Sequence, residues 1–298
     1  MSDKFDANTG KDLNIPGREF PQFLYRYRSN ESQFLEEEIK KLSEREIFLG
    51  DAHGMNDEFE ARPILVPSKL AELRREVRRV GDGRYRRMRK ADIIAHGRPG
   101  LFILPEVEKS WGDASAMVRL DYRAISRARS IPDLFNIKLA CFSEDGFSAA
   151  MWNHYANSHE GIVIEYRVRH KNASADHYQL PLPVEYITGA PRITYLEMFK
   201  AINFEIFQDE AVMDKVVRQA TMYKRESWSS EKEWRLTRPP EGNGGYTPFY
   251  NLIPNRLILG LRSSLETEQL VRSLAPDLKL ARSKIDSRIQ EFVYEDIS

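Results

Sequence analysis

Apolar residues recur along this chain with two periods, and the switches between them divide it into strands and helices. Phe23–Arg28 (FLYRYR), Ile47–Leu49, Ile137–Ser143 (IKLACFS) and Gly161–Arg167 (GIVIEYR) read as strands rich in aromatic and β-branched residues. Leu182–Ile187, Glu233–Thr237, Arg256–Gly260 and Leu278–Ile285 continue that series. Helical spacing marks Asn30–Leu42, where Leu35, Ile39 and Leu42 form a stripe and Asn30 with Gln33 resembles a capping box. The same period predicts helices over Leu70–Ile94, Phe147–Asn157 and Ser264–Leu274, and one long or two broken helices over Tyr195–Lys224. Strands and helices mix without strict alternation, so the expected fold class is α+β.

Residues 1–21, punctuated by Asn8, Gly10, Pro16, Gly17 and Pro21, read as a flexible arm. Residues 22–298 read as a single α+β domain with a basic helical insertion at about 67–132, long enough to bury a sizeable core. Over the whole chain 45 basic and 45 acidic residues cancel, so net charge selects no partner. Between Lys69 and Arg98, however, eleven Lys/Arg face four Asp/Glu, a local excess of seven. The plain reading is a solvated helix face. The sharper one is a landing strip for a phosphate backbone, with Arg74, Arg75, Arg78, Arg79, Arg86, Arg87, Arg89 and Lys90 as nucleic-acid contacts. Only Tyr85 interrupts the run, which argues against a stacking platform for single strands. No stretch of about 18 apolar residues is present, so no membrane partner is expected. The polar N-terminus shows no secretory signal, and a single cysteine, Cys141, forbids an intrachain disulfide; a cytoplasmic location is the expectation.

Chemistry concentrates in two segments. Glu231 and Glu233 sit two apart at the entrance to a strand, a spacing that sends both carboxylates to one face, with Trp228 and Trp234 beside them. An exposed polar edge balanced by Lys232 and Arg235 is the simpler account of such a pair. His154 and His159 are five apart, which suits neither metal ligation on one helical face nor a Ser-His nucleophile with Ser143, since no GxSxG elbow is present. No metal site is expected there. Cys141 reads as a small buried hydrophobe. Neither a GxGxxG nor a GxxxxGK[ST] pattern occurs, so a nucleotide would have to be held by side chains.

Taken in order, LYRYR, MNDEFE, CFSED, MWNHYANSHEGIVIEY, the lone Lys224, SEKEWRL and LILG closely resemble one bacterial family, the one known as domain of unknown function 2971. The resemblance runs from about Leu24 to near the C-terminus and is thinnest over the basic insertion. A second resemblance is to the ADP-ribosyltransferase superfamily: an Arg on an early strand, a Ser on a middle strand and a late Glu closing an E-x-E. The chain departs from that pattern in lacking S-T-S and in its MWNHYA helix. This likeness implies a split mixed β-sheet core with flanking helices, and NAD as substrate. Glu233 would bond the ribose 2-hydroxyl, Ser143 would position it, and Glu231 would orient or deprotonate the acceptor. Arg26 or Arg28 would hold the pyrophosphate, with Tyr27, Trp152, His154 and Tyr155 as further NAD contacts. The function so implied is an NAD-dependent transferase, a bacterial toxin or anti-phage effector modifying nucleic acid or protein. The alternatives are a non-catalytic nucleic-acid-binding sensor or adaptor, and a Mg²⁺-dependent nuclease using Asp57, Glu60, Glu144 or Asp145.

Overall fold

The computed structural model of the protein describes residues 19–31, 35–52, 55, 57, 59–60, 62–96, 111–128, 134, 137–169, 180–238, 245–249 and 251–297. The arm expected at residues 1–21 lies outside these as far as residue 18. So do residues 97–110 and 129–132 of the basic insertion. The chain divides into two compact units, Met1–Gly50 with Lys138–Val184 and Ser227–Ser298, and Asp51–Ile137 with Glu185–Glu226.

The first unit is built on a mixed sheet, and its class is α+β as the sequence predicts. Its main strands are β1 (Phe23–Arg28), β2 (Lys138–Ser143), β3 (Ile162–Val168), β4 (Leu182–Pro183), β5 (Glu233–Arg238), β6 (Leu252–Leu259), β7 (Lys279–Asp286) and β8 (Glu291–Asp296). They lie in the order β8-β7-β6-β3-β1-β2-β5-β4, with β6 and β7 parallel and the other neighbours antiparallel. One face packs Leu24, Phe142, Ile164, Trp234 and Leu257 against Leu35 and Ile39 of helix Leu35–Lys41 and Val271 of helix Leu265–Leu274. The other packs Tyr27, Val163 and Ile258 against Met151 and Trp152 of helix Ala149–Tyr155. Burying a Trp or Phe of this kind is worth about 3–5 kcal/mol against truncation to Ala.

Two strands differ from expectation for identifiable reasons. The run Leu182–Ile187 is divided between sheets: Val184 N–H bonds Glu233 O at 2.8 Å, whereas Glu185 N–H turns to Met222 O at 2.7 Å. Strand β8 is absent from the sequence reading because Glu291, Glu295 and Asp296 are exposed, so no apolar period announces it.

The second unit is mainly helical. The long helix expected at Leu70–Ile94 is two, Leu70–Val80 and Asp82–His96, broken where Gly81 takes φ 91°. Helix Ala114–Arg127, which the apolar pattern did not mark, starts on Asp113, whose carboxylate accepts Ser115 N–H. Tyr195–Lys224 resolves into helices Tyr195–Ile202, Phe204–Phe207 and Glu210–Thr221 followed by strand Tyr223–Arg225. At the first break Asn203 points inward, donating to Phe199 O (2.9 Å) and to Asp121 Oδ2 (3.2 Å).

Asp121 is the hub of this unit. Tyr85 Oη donates to its Oδ2 at 2.8 Å and Arg89 Nη2 to its Oδ1 at 2.7 Å, all fully buried. Arg89 is thereby removed from the basic strip to which the sequence reading assigned it. The reason is helical period: Tyr85 and Arg89, four apart, share the inward stripe. Arg75, Arg78, Arg79, Arg87 and Lys90 remain exposed, while Arg74 and Arg86 are half-buried. Replacing Asp121 with Ala strands a buried guanidinium, and we expect a loss of about 3–5 kcal/mol in urea unfolding. Arg75→Ala on the exposed face should stay within about 0.5 kcal/mol.

Candidate active site

The site follows from the pleat of β1. With a period of two, Leu24, Arg26 and Arg28 point to one face and Phe23, Tyr25 and Tyr27 to the other. Directly opposed residues share a face, and the register sets Arg256, Glu165, Tyr25, Ser143 and Glu233 in one row across five strands. Ser143 and Glu233, distant in sequence, are therefore cross-strand neighbours on the tyrosine face.

At the end of that row the chain holds Glu231 in place. Ser143 is completely buried, and its Oγ donates to Glu231 O at 2.6 Å while accepting Asp145 N–H at 3.0 Å. Tyr155 Oη donates to Glu231 Oε1 at 2.8 Å. Between the two acids Lys232 takes φ 47°, and its Nζ lies 3.3 Å from Asp145 Oδ2. Tyr27 Oη donates to Asp145 O at 2.6 Å, and burial, then Asp145, pushes its phenol upward. Tyr25 is raised to about 12 by burial and by Glu165.

Glu233 has a different environment. Arg235, two residues on and so on the same face, donates from Nε to Oε1 at 2.7 Å and from Nη2 to Oε2 at 2.8 Å, with both side chains buried. The Ser143 hydroxyl thus bonds the backbone carbonyl of Glu231, whereas the sequence predicted that it would position Glu233. A same-face Arg two positions from an acid is a signal the sequence offered, but reading it as mere charge balance obscured it.

The aromatic and histidine contacts separate by depth. Trp152 is 0% exposed, edge-on to Tyr27 at 5.4 Å, with Nε1 donating to Gly146 O at 3.2 Å. It cannot stack on a ligand, because helix Ala149–Tyr155 turns Met151 and Trp152 inward together. Tyr155 is half-buried, and exposed His154 sits edge-on to Trp228 at 6.4 Å. Cys141 is half-buried rather than enclosed.

Arg26 and Arg28 need the clearest correction. Both share one face, but it is the opposite face from Ser143 and Glu233, so the sheet separates them from the row. There they grip Glu38 of helix Leu35–Lys41: Arg26 Nε lies 3.2 Å from Oε1 and Arg28 Nε 2.5 Å from Oε2, while Arg26 Nη2 donates to Phe48 O at 2.7 Å. Burial, then Arg28, lowers Arg26. Burial pulls Arg28 down too, but Glu38 overrides it and the net shift is upward. Burial would raise Glu38, yet Arg26 and Arg28 hold it below the usual carboxylate range.

The histidine-rich motif ends in an uncommon backbone. Asn157, Ser158 and His159 take φ 45°, 50° and 72° in succession, a left-handed turn closed by Gly161 N–H to Ala156 O at 2.9 Å. A Cβ at Gly161 would meet Arg28 O at 2.1 Å, and one at Gly260 would meet His159 O at 2.0 Å. His159 is stacked between Trp152 (5.6 Å) and Phe292 (5.0 Å), and burial, then Arg262, lowers its pKa. It is scaffold.

Two acids of the nuclease alternative have partners of their own. Glu144 accepts Trp234 Nε1–H at 2.6 Å in the first unit, while Glu60 lies 3.4 Å from Lys224 Nζ, buried in the second. Among the described residues no group of three or more His, Cys, Asp and Glu is placed to hold a metal ion.

The Glu38 brace has a pH signature. A carboxyl depressed on folding stabilises fully above its unfolded pKa of about 4.3, and that contribution is lost as pH falls through the folded value. The Tm gap between wild type and Glu38→Gln should therefore be larger at pH 7 than at pH 3. An equal gap at both would mean that Glu38 does not act as an anion.

No curated protein and no solved structure matches the chain. A family model does: residues 151–236, which hold the left-handed histidine turn and the Glu231–Glu233 pair, match the family described as "Protein of unknown function (DUF2971)".

Proposed function

We propose that the chain is an NAD-consuming transferase of the ADP-ribosyltransferase type, with its reacting centre on the tyrosine face of the sheet. One observation carries this reading. Ser143 and Glu233 are register partners on adjacent strands, and Ser143 and Tyr155 together fix Glu231 beside them. The early-strand position on that face belongs to Tyr25 and Tyr27 in place of Arg26 and Arg28.

The chemistry requires cleavage of the nicotinamide–ribose bond. Its electron pair passes to the ring nitrogen and neutralises the pyridinium, the acceptor's nucleophile bonds to the anomeric carbon, and the acceptor's proton leaves to a carboxylate. The transition state has oxocarbenium character, which a nearby carboxylate stabilises. In this reading Glu231 takes that role, oriented by Tyr155. Glu233, with an Arg235 donor on each carboxylate oxygen, is a positioning residue that anchors the start of β5. His154 and Trp228 supply ring surface at the rim.

Incubation of the protein with NAD and bulk RNA, DNA or cell protein should release nicotinamide. Glu231→Gln should lower that rate about 10²–10³-fold, the usual loss for one preorganised electrostatic group. No release by wild type with any acceptor would sink the reading.

For the acceptor, the exposed Arg75, Arg78, Arg79, Arg87 and Lys90 favour nucleic acid. Five phosphate contacts predict that log K falls against log salt with a slope of about −4 to −5 on duplex DNA. A slope near zero in a fluorescence-anisotropy titration would remove nucleic acid from the account.

A further inference from the structure

Over the other end of the row that holds Ser143, on the same face, the first unit has an open cavity of about 840 Å³. Its floor is Tyr25, Glu165 and Arg256, and its walls include Phe147, Phe292 and Tyr294. Neither Ser143, Glu231 nor Glu233 lines it, so it is a separate space from the carboxylate cluster.

The wall is prebuilt. Phe147 stacks on Tyr294 with ring centroids 4.2 Å apart and planes 18° apart. The loop beneath is held down because Tyr294 Oη and Trp152 Nε1 both donate to Gly146 O. Only glycine fits at 146, since an added Cβ would meet the Tyr25 ring at 2.7 Å. Phe147 itself is 44% exposed, a large aromatic face turned to solvent at the mouth.

The floor offers an acceptor beside a donor. Glu165 is buried, and its Oε1 takes Asn255 Nδ2 at 2.5 Å and Arg256 Nε at 3.3 Å, with Tyr25 also hydrogen-bonded to the carboxylate. A carboxylate offers about four lone-pair sites, so room for one more donor remains. Arg256 also lies 3.1 Å from Asp296, and its five-donor fork has capacity beyond these two contacts. Because Arg256 neutralises Glu165, the floor does not select a cation. It selects a flat ring with a hydrogen-bond donor next to an acceptor, flanked by aromatic faces.

We propose that this cavity binds a purine base, and, resting on the transferase reading above, that the base is the adenine of NAD. Its amino group would donate to Glu165 and a ring nitrogen accept from Arg256, with Phe147 against the ring. Position supports the assignment. Glu165 and Glu233 are three strand spacings apart along the row, roughly 14 Å at about 4.8 Å each. That span suits the two ends of one dinucleotide, with adenine in the cavity and the nicotinamide ribose at Glu231.

The test uses the full chain and calorimetric titration with AMP, GMP and nicotinamide mononucleotide, alongside the nicotinamide-release assay. AMP should bind, Phe147→Ala should weaken it about 10-fold or more through loss of one base–aromatic stack, and Phe147→Trp should restore it and report binding by fluorescence quenching. Tighter binding of GMP than AMP, AMP affinity indifferent to Phe147, or no AMP binding to a folded wild type would each overturn the assignment. The two proposals separate cleanly. Phe147-dependent AMP binding without nicotinamide release supports the cavity and overturns the transferase, whereas nicotinamide release with AMP affinity indifferent to Phe147 overturns the cavity alone.

Discussion

The first unit depends on the alternation of one central strand. FLYRYR sends arginines to one face and tyrosines to the other, and each set is engaged by its own neighbours. On the arginine face, Glu38 is clasped by both guanidinium groups, which fastens helix Leu35–Lys41 onto the sheet. Removing one member of such a buried pair costs about 3–5 kcal/mol because the other charge is stranded. On the tyrosine face, Tyr25 sits in register with Ser143 and Tyr27 bonds the Asp145 carbonyl and packs on Trp152. A one-residue slip of this strand would exchange the two sets and break both at once.

A second constraint ties the strand ends together. Three consecutive left-handed residues cost roughly 1–2 kcal/mol each, and such strain persists only where the surroundings over-determine it. Here the surroundings are specific. Gly161 and Gly260 let two backbones approach the turn closely, and the His159 ring is sandwiched between Trp152 and Phe292. This joins the end of β1, the start of β3, the end of β6 and strand β8. The turn follows directly on helix Ala149–Tyr155, whose last residue donates to Glu231.

The two glutamates of the E-K-E pair show how neighbours divide one chemistry between two roles. Glu233 faces a fork that answers each of its oxygens, a fixed geometry suited to holding β5. Glu231 stands two residues earlier, at the end of a short 3-10 segment, and is aimed by a serine on its backbone and a tyrosine on its carboxylate. The positive φ of Lys232 makes this separation, since a regular strand would have given both acids the same surroundings.

Local patterning determined most strands, the amphipathic helices and the family motifs, because burial imposes periods of two and 3.6 on neighbouring residues. The likeness to the ADP-ribosyltransferase pattern, and not the local period, brought Ser143, Glu231 and Glu233 forward as a group. Local patterning could not show that Leu182–Ile187 serves two sheets, that Gly81 divides a basic helix, or that β8 exists, for these follow from backbone hydrogen bonds and exposure rather than composition. Arg89 looked like surface charge until Asp121, 32 positions away, proved to be its partner. Trp152 looked like a stacking ring until the left-handed turn closed over it. Even the opposition of Arg26 to Ser143 needed the register, since the period tells which residues share a face within one strand but not which face the next strand presents. Strand pairing settles that, and pairing is a tertiary fact.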